Sequence, residues 1–154
     1  MNDIKKRTGI TEEDVAKRLM DYGFHAPTMS WPLVGGLMIE PTESEDKTEM
    51  DRFIDALKLI RQEIRDVEEG RADKLNNILK HAPHTLRRLM QTEWSYPYTR
   101  EQAAYPASWI HHRGKVFPTV ARIDSAFGDR NLVCSCPDVS DYTAAYDETV
   151  MPKL

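Results

Sequence analysis

The chain has 154 residues, of which 40% are hydrophobic and 30% are charged, and its formal net charge is −4. This length fits one domain, and the acidic balance argues against binding to nucleic acid or an anionic membrane. No apolar run is long enough to cross a membrane, and the first ten residues resemble neither a signal peptide nor a transit peptide. Two cysteines are too few for a disulfide framework. We therefore expect a soluble protein of a reducing compartment, cytoplasmic if the organism is bacterial.

The first predicted element is a helix over residues 11–22. Thr11 is suited to the N-cap position, and Asp14 stands where a capping box needs a side chain that bonds back. Apolar residues at helical spacing form one face of this helix, and they are Val15, Leu19 and Tyr22.

Two extended segments are predicted next, at 24–31 and 36–41. Pro27 and Pro32 favour extended backbone in the first segment. Gly35-Gly36 permits a positive φ, which predicts a tight turn between the segments.

A long helix is predicted over residues 43–69, capped by Thr42 with Glu45 or by Ser44. Its apolar face has the spacing of a core-facing helix and comprises Met50, Phe53, Ile54, Leu57, either Ile60 or Leu59, Ile64 and Val67. We expect this helix to cover the short sheet, which gives an α+β architecture. The expected core consists of Leu19, Phe53, Leu57 and Ile64, packed against residues 37–39.

The rest of the chain is predicted to be an irregular carboxy-terminal extension. Short helical turns are expected at 85–90 and at 99–104, the latter with Thr99 as cap and Gln102 as its partner. A turn is expected at 127–131, a strand at 132–134 and disorder at 143–154. The predicted division is a core at 9–70, a segment at 71–142 that wraps over another surface, and a tail.

The histidines and cysteines raise the question of a metal site, and the residues concerned are His81, His84, His111, His112, Cys134 and Cys136. A structural zinc site needs paired ligands at set spacings, which this chain lacks, so no metal site is predicted. Cys134 and Cys136 fit either a nucleophile near Arg130 or packed, redox-sensitive thiols. The redox-sensitive alternative is favoured.

Six polar residues are candidates for a substrate cleft. His25, Thr28 and Ser30 share one extended segment and can line a polar pocket, although a structural role for the histidine is the commoner case. Arginine can hold a carboxylate or phosphate with two parallel bonds, and the candidates are Arg100, Arg122 and Arg130. The alternative for these arginines is an internal salt bridge, for example from Arg130 to Asp124 or Asp129.

Seven segments, in order, resemble the carboxy-terminal part of one enzyme family. They read DVAKRLMDYGFHAPTMSWP, LMIEPTESE, EIRDVEEGRAD, APHT, PYTREQAAYP, FPTVARID and GDRNLVCSCP. Together they are similar to the glycine-cleavage P protein, the decarboxylating glycine dehydrogenase, over roughly residues 9–142. The resemblance implies the small carboxy-terminal domain of a fold-type I enzyme dependent on pyridoxal phosphate (PLP).

In that family, PLP serves as electron sink when glycine loses CO2, and the aminomethyl group passes to the lipoyl arm of the H protein. The family's PLP lysine directly follows a histidine, upstream of a glycine-rich segment, and no His-Lys pair occurs here. The resemblance therefore implies no catalytic or cofactor-binding residue in this chain and no PLP bound by it alone. Activity would need the remainder of the P protein in trans. The alternative is a non-catalytic remnant, or an interaction module that docks on a full-length P protein.

Three places depart from the family pattern. Leu33–Gly36 differs from the usual run, and a pocket hydroxyl is lost at Gly36. Val116-Phe117 replaces a bulkier aromatic pair, and Phe127 replaces a tyrosine. These differences are expected to change the local pocket and to leave the fold intact.

Overall fold

A computed structural model describes residues 1–112, 114–133 and 139. The helices in this part of the chain are α1 (Asn2–Thr8), α2 (Glu12–Asp21), α3 (Lys47–Glu68), α4 (Ile78–His81), α5 (Leu86–Leu89), α6 (Arg100–Ala104), a 3-10 helix (Ser108–His112) and α7 (Ser125–Arg130). Strands β1 (Thr28–Met29) and β2 (Leu37–Met38) form one sheet. Met1–Ile123 is one compact unit, and the chain from Asp124 onward belongs to a second.

Helix α2 begins and ends close to where the sequence predicts. Thr11 Oγ1 accepts the N–H of Asp14, and Asp14 Oδ2 accepts the N–H of Thr11 at 2.8 Å, so the predicted capping box is confirmed. Val15, Leu19 and Tyr22 are all buried in the main core. The apolar face read from their spacing is therefore also correct.

The hairpin is shorter than the two predicted extended segments. Thr28 pairs with Met38, and Met29 pairs with Leu37, in an antiparallel register. Proline has no N–H to donate to a ladder, and Pro27 and Pro32 stand just outside β1. Gly35 has a φ of 80°, in agreement with the predicted turn.

Helix α3 begins at Lys47, four residues later than predicted. Residues 42–45 form a turn in which the N–H of Glu45 donates to the carbonyl of Thr42 at 3.1 Å. Asp46 is the actual N-cap, because its carboxylate accepts the N–H of Glu49 at 2.7 Å. The predicted caps at Thr42 and Ser44 are wrong for this reason.

The long helix packs on other helices more than on the sheet. Its main neighbours are α1, α2 and α4, whereas the sheet rests on α2 through β1. Leu19 and Ile64 are buried as predicted, but Phe53 and Leu57 are only partly buried. The expectation that α3 covers the sheet is thus wrong in its choice of neighbours, although the mixed helix-and-sheet architecture is correct.

Helix α1 was not predicted, because its sequence has no apolar periodicity. It ends at Gly9, which has a φ of 77° and donates its N–H to the carbonyl of Lys5. Thr8 is its buried residue, and Ile4 packs on the main core from the edge. Packing on α3, more than intrinsic propensity, explains why this polar segment is helical.

Several short elements follow α3. Thr85 caps α5, and Thr99 with Gln102 forms the predicted capping box at the start of α6. The turn predicted at 127–131 is wrong: Asp124 caps α7 by accepting the N–H of Phe127 at 2.9 Å. Leu132 and Val133 are in no strand, and the predicted tail at 143–154 lies outside the described residues.

None of the described helices is long and apolar enough to span a bilayer.

Replacing Leu19 by alanine should destabilise the chain more than replacing Leu57. Leu19 is fully buried, so its truncation should lower the free energy of unfolding by about 2–5 kcal/mol. Leu57 is only partly buried, so its truncation should lower that free energy by less. Urea unfolding of both variants measures the difference. Equal losses would contradict the core assigned to α2.

Candidate functional site

The segment that carries His25, Thr28 and Ser30 borders an open groove. The groove has a volume of about 520 Å3 and lies between the hairpin and the first turns of α3. His25 and Pro27 line one side, and Met50 and Ile54 line the other. We call it the hairpin groove and treat it as the candidate functional site.

The three polar residues of this segment differ in what they can offer a ligand. His25 is exposed, with Nδ1 3.0 Å from the carbonyl oxygen of Ala26, and Thr28 is exposed on β1. Ser30 is engaged within the chain: its hydroxyl donates to Glu12 Oε1 at 2.7 Å. This bond lowers the pKa of Glu12 and ties the hairpin to α2.

Two of the three candidate arginines have structural partners. Arg122 donates to the carbonyls of Ala82 and Leu79 and, at 2.9 Å, to Asp14 Oδ1. Arg100 donates to the carbonyls of Gln91 and Thr92. These bonds support the alternative in which the arginines hold the fold.

Arg130 lies exposed in the last turn of α7, in the second unit. Cys134 and Cys136 fall outside the described residues.

A second cavity shares Phe24 and His25 with the hairpin groove. Its volume is about 610 Å3, and Lys115 and Trp109 are among its lining residues. The Lys115 ammonium donates to the carbonyl of Ala104 and lies 4.7 Å from the centre of the Phe117 ring. Burial lowers the pKa of Lys115 to about 8.

Beneath these surfaces lies a buried charged cluster that the sequence did not reveal. Arg18 is fully buried and donates to Asp21 Oδ2 at 3.0 Å, to Glu63 Oε1 at 2.6 Å and to the carbonyl of Gln102 at 3.0 Å. Burial opposes the charge of the guanidinium, but the carboxylates of Glu63 and Asp21 outweigh it and raise the pKa of Arg18.

His84 joins the same cluster through Asp21. Its backbone N–H donates to Asp21 Oδ1 at 2.7 Å, and its Nδ1 lies 2.8 Å from Asp21 Oδ2. With the proton on Nδ1, Nε2 accepts the hydroxyl of Tyr98 at 2.9 Å. Burial works against the ionised form of Asp21, yet the bond from His84 and the charge of Arg18 hold its pKa below the ordinary range.

This cluster joins α2, α3, the segment just before α5 and the middle of α6. Every charged group in it is paired, as buried charges must be to offset their desolvation. A buried set of groups that pair with one another is suited to fixing geometry, so we assign the cluster a structural role. Its signal in the sequence was weak, because a buried arginine is rare.

No group of three or more histidine, cysteine or acidic side chains in the described ranges is placed to hold a metal ion.

Comparison with known proteins places the chain in a family. A family model described as "Glycine dehydrogenase, C-terminal domain" matches residues 1–84, which is more than half of the chain. The chain belongs to the glycine dehydrogenase C-terminal domain family. The match includes the hairpin groove and all of α2 and α3.

Relatives of this glycine dehydrogenase domain are found in bacteria and animals. Over 144 residues the chain is 59% identical to a glycine dehydrogenase (decarboxylating) of Bdellovibrio bacteriovorus, covering 94% of the chain and 15% of the relative. It is 56% identical over 144 residues to the mitochondrial glycine dehydrogenase (decarboxylating) of Gallus gallus, covering 94% of the chain and 14% of the relative. The chain therefore spans about one seventh of the length of these relatives and corresponds to their carboxy-terminal portion.

Replacing Asp21 by alanine should cost about 3–5 kcal/mol, because Arg18 and His84 lose a buried partner. Asp51 provides the control. It forms an exposed pair with Lys47 on α3, and its replacement by alanine should cost about 0.5 kcal/mol or less. Urea unfolding at neutral pH compares the two variants. Similar losses of unfolding free energy would contradict the structural role assigned to the buried charged cluster.

Acid should weaken folding through the same carboxylate. Because the folded-state pKa of Asp21 lies below its ordinary value, the unfolded chain takes up the proton first as the pH falls. The stability that this carboxylate contributes is present above its unfolded pKa and is lost as the pH falls through its folded pKa. The free energy of unfolding is measured for the wild type and for Asp21→Asn from pH 6 to 3. The difference between the two should become smaller below about pH 4. A difference in unfolding free energy that stays constant over this pH range would argue against an ionised Asp21 in the folded chain.

Proposed function

We propose that the chain serves as the carboxy-terminal portion of a PLP-dependent glycine dehydrogenase that decarboxylates glycine with H protein as aminomethyl acceptor. The supporting observation is identity of 56–59% over nearly the whole chain to relatives named glycine dehydrogenase (decarboxylating). The same alignments cover about one seventh of those relatives, so the proposed activity requires the remaining portion of the enzyme as well. We also propose that the unit Met1–Ile123 corresponds to the small domain of a fold-type I enzyme.

The described residues do not fit a PLP site. Such a site needs a lysine amine beside a cradle of phosphate-binding N–H groups, often at a helix start. The starts of the two longest helices are filled by the chain's own carboxylates, Asp14 at α2 and Asp46 at α3. We propose that the chain alone neither holds PLP nor decarboxylates glycine.

The lysines support the same proposal. Lys80 is bound to Asp14 and to the carbonyl of Gly9, and Lys47 and Lys58 pair with aspartates on α3. Lys115 has a lowered pKa, which favours a reactive amine, but its neighbours are a carbonyl and two aromatic rings. No phosphate cradle accompanies it among the described residues.

The test has two parts. The purified chain is incubated with PLP, reduced with borohydride and digested, and the labelled peptides are mapped, with intact Bdellovibrio bacteriovorus glycine dehydrogenase as positive control. We expect no stoichiometric label on any lysine of the chain. A single stoichiometric label, together with CO2 release from glycine, would mean that the chain is an enzyme by itself.

In the second part, the chain is co-expressed with the Bdellovibrio bacteriovorus enzyme truncated before its matched region. Release of labelled CO2 from glycine in the presence of lipoylated H protein should need both polypeptides. Binding without restored activity would favour a non-catalytic interaction module.

A further inference from the structure

The hairpin groove continues the apolar stripe of α3 beyond the core. The carboxy-terminal half of the stripe is covered by the chain itself, since Ile60, Ile64 and Val67 are all buried. The amino-terminal half opens into the groove, where Met50 and Ile54 face the hairpin. The apolar stripe of α3 is therefore buried at its carboxy-terminal end and exposed in the groove at its amino-terminal end.

The hairpin side of the groove is equally apolar. Met38 and Ile39 line it, and with Met50 and Ile54 they are between 38% and 48% exposed. At the tip of the same hairpin, Trp31, Leu33 and Val34 are between 65% and 74% exposed. Exposed apolar side chains that gather around one groove mark an interaction site.

The rim of the groove is acidic. Residues 40–51 contain six carboxylates and one lysine. Asp46 caps α3, Asp51 pairs with Lys47 and Glu49 pairs with Arg52. Glu40, Glu43 and Glu45 are exposed and make no side-chain hydrogen bond or ion pair within the part of the chain that the structure describes.

Charge decides among the possible occupants. Glu40, Glu45 and Glu49 line the groove, and no lysine or arginine among the described residues does. A twofold dimer through this face would bring two acidic rims together, which is unfavourable. An apolar segment flanked by basic residues would pack against the apolar lining of the groove and pair with the carboxylates at its rim.

We propose that the hairpin groove receives an apolar segment flanked by lysine or arginine, supplied by the portion of the glycine dehydrogenase that lies outside this chain. This inference rests on the proposed function. Because the chain spans 15% of the Bdellovibrio relative, the remaining portion of such an enzyme is the partner against which this domain would pack. The tip residues Trp31 and Leu33 would extend the same contact.

Paired variants test the groove. The chain is co-expressed with the truncated Bdellovibrio enzyme, and the dissociation constant of the purified complex is measured by dilution. Glu40→Lys with Glu45→Lys should weaken binding about tenfold or more, as like charges would then meet at the rim. Asp3→Lys with Glu69→Lys changes the net charge equally at exposed sites outside the groove and should change binding less than about twofold.

An apolar pair of variants keeps the test independent of charge. Ile54→Ser should also weaken binding about tenfold, whereas Leu86→Ser, at a site of similar exposure outside the groove, should have little effect. Each variant's urea unfolding confirms that it is folded. Carbodiimide coupling of the wild-type complex should join Glu40 or Glu45 to a lysine of the partner.

The outcomes separate the two proposals. If the wild type binds and the groove variants bind as tightly as their controls, the groove is not the interface, while assembly in trans stands. If the wild-type chain fails to bind the truncated enzyme, both assembly and the groove inference are wrong.

Discussion

The packing of the unit Met1–Ile123 depends on the buried guanidinium of Arg18, which needs partners from several helices. A cation removed from water must recover its hydration energy from fixed partners. Asp21 supplies one from the same helix, Glu63 supplies two oxygens from α3, and the carbonyl of Gln102 supplies another from α6. Three helices are held at set distances by one side chain.

Asp21 extends that constraint to the segment after α3. It accepts both the backbone N–H and the ring N–H of His84, so the carboxylate serves two segments at once. Asp14 has a similar role at the other end of α2, where it receives Lys80 and Arg122. Short helices with few apolar residues are thereby fixed by charge as much as by apolar burial.

The sequence was sufficient where local chemistry decides the structure. Thr11 with Asp14 and Thr99 with Gln102 were correctly assigned as capping boxes, because the residues that bond lie three apart. The start of α3 was misplaced, since Thr42, Ser44 and Asp46 are all good caps and a backbone turn at 42–45 decides between them. Helix α1 and the buried Arg18 depend on partners more than forty residues away, which spacing within a segment does not indicate.

The candidate site, too, was predictable where local sequence decides the structure and not where distant partners decide it. The segment with His25 and Thr28 was correctly expected to be extended, and it does border a groove, but Ser30 has a φ of 54° and leaves the extended conformation. The roles of Arg100 and Arg122 were open from sequence, because a guanidinium binds a carbonyl as readily as a substrate carboxylate. Their carbonyl partners come from other parts of the chain, so these bonds could not be predicted from spacing within one segment.

The reach of Arg122 has a consequence for the order in which the unit forms during synthesis. Its partner Asp14 precedes it by 108 residues, and closing so long a loop carries an entropic cost that grows slowly with length. Helix α2 leaves the ribosome before residues 80, 84 and 122, so Asp14 and Asp21 are fully paired only after those residues have been made. Until then α2 retains unpaired charge and an uncovered apolar face, so a nascent chain is most open to chaperones and proteases in that interval.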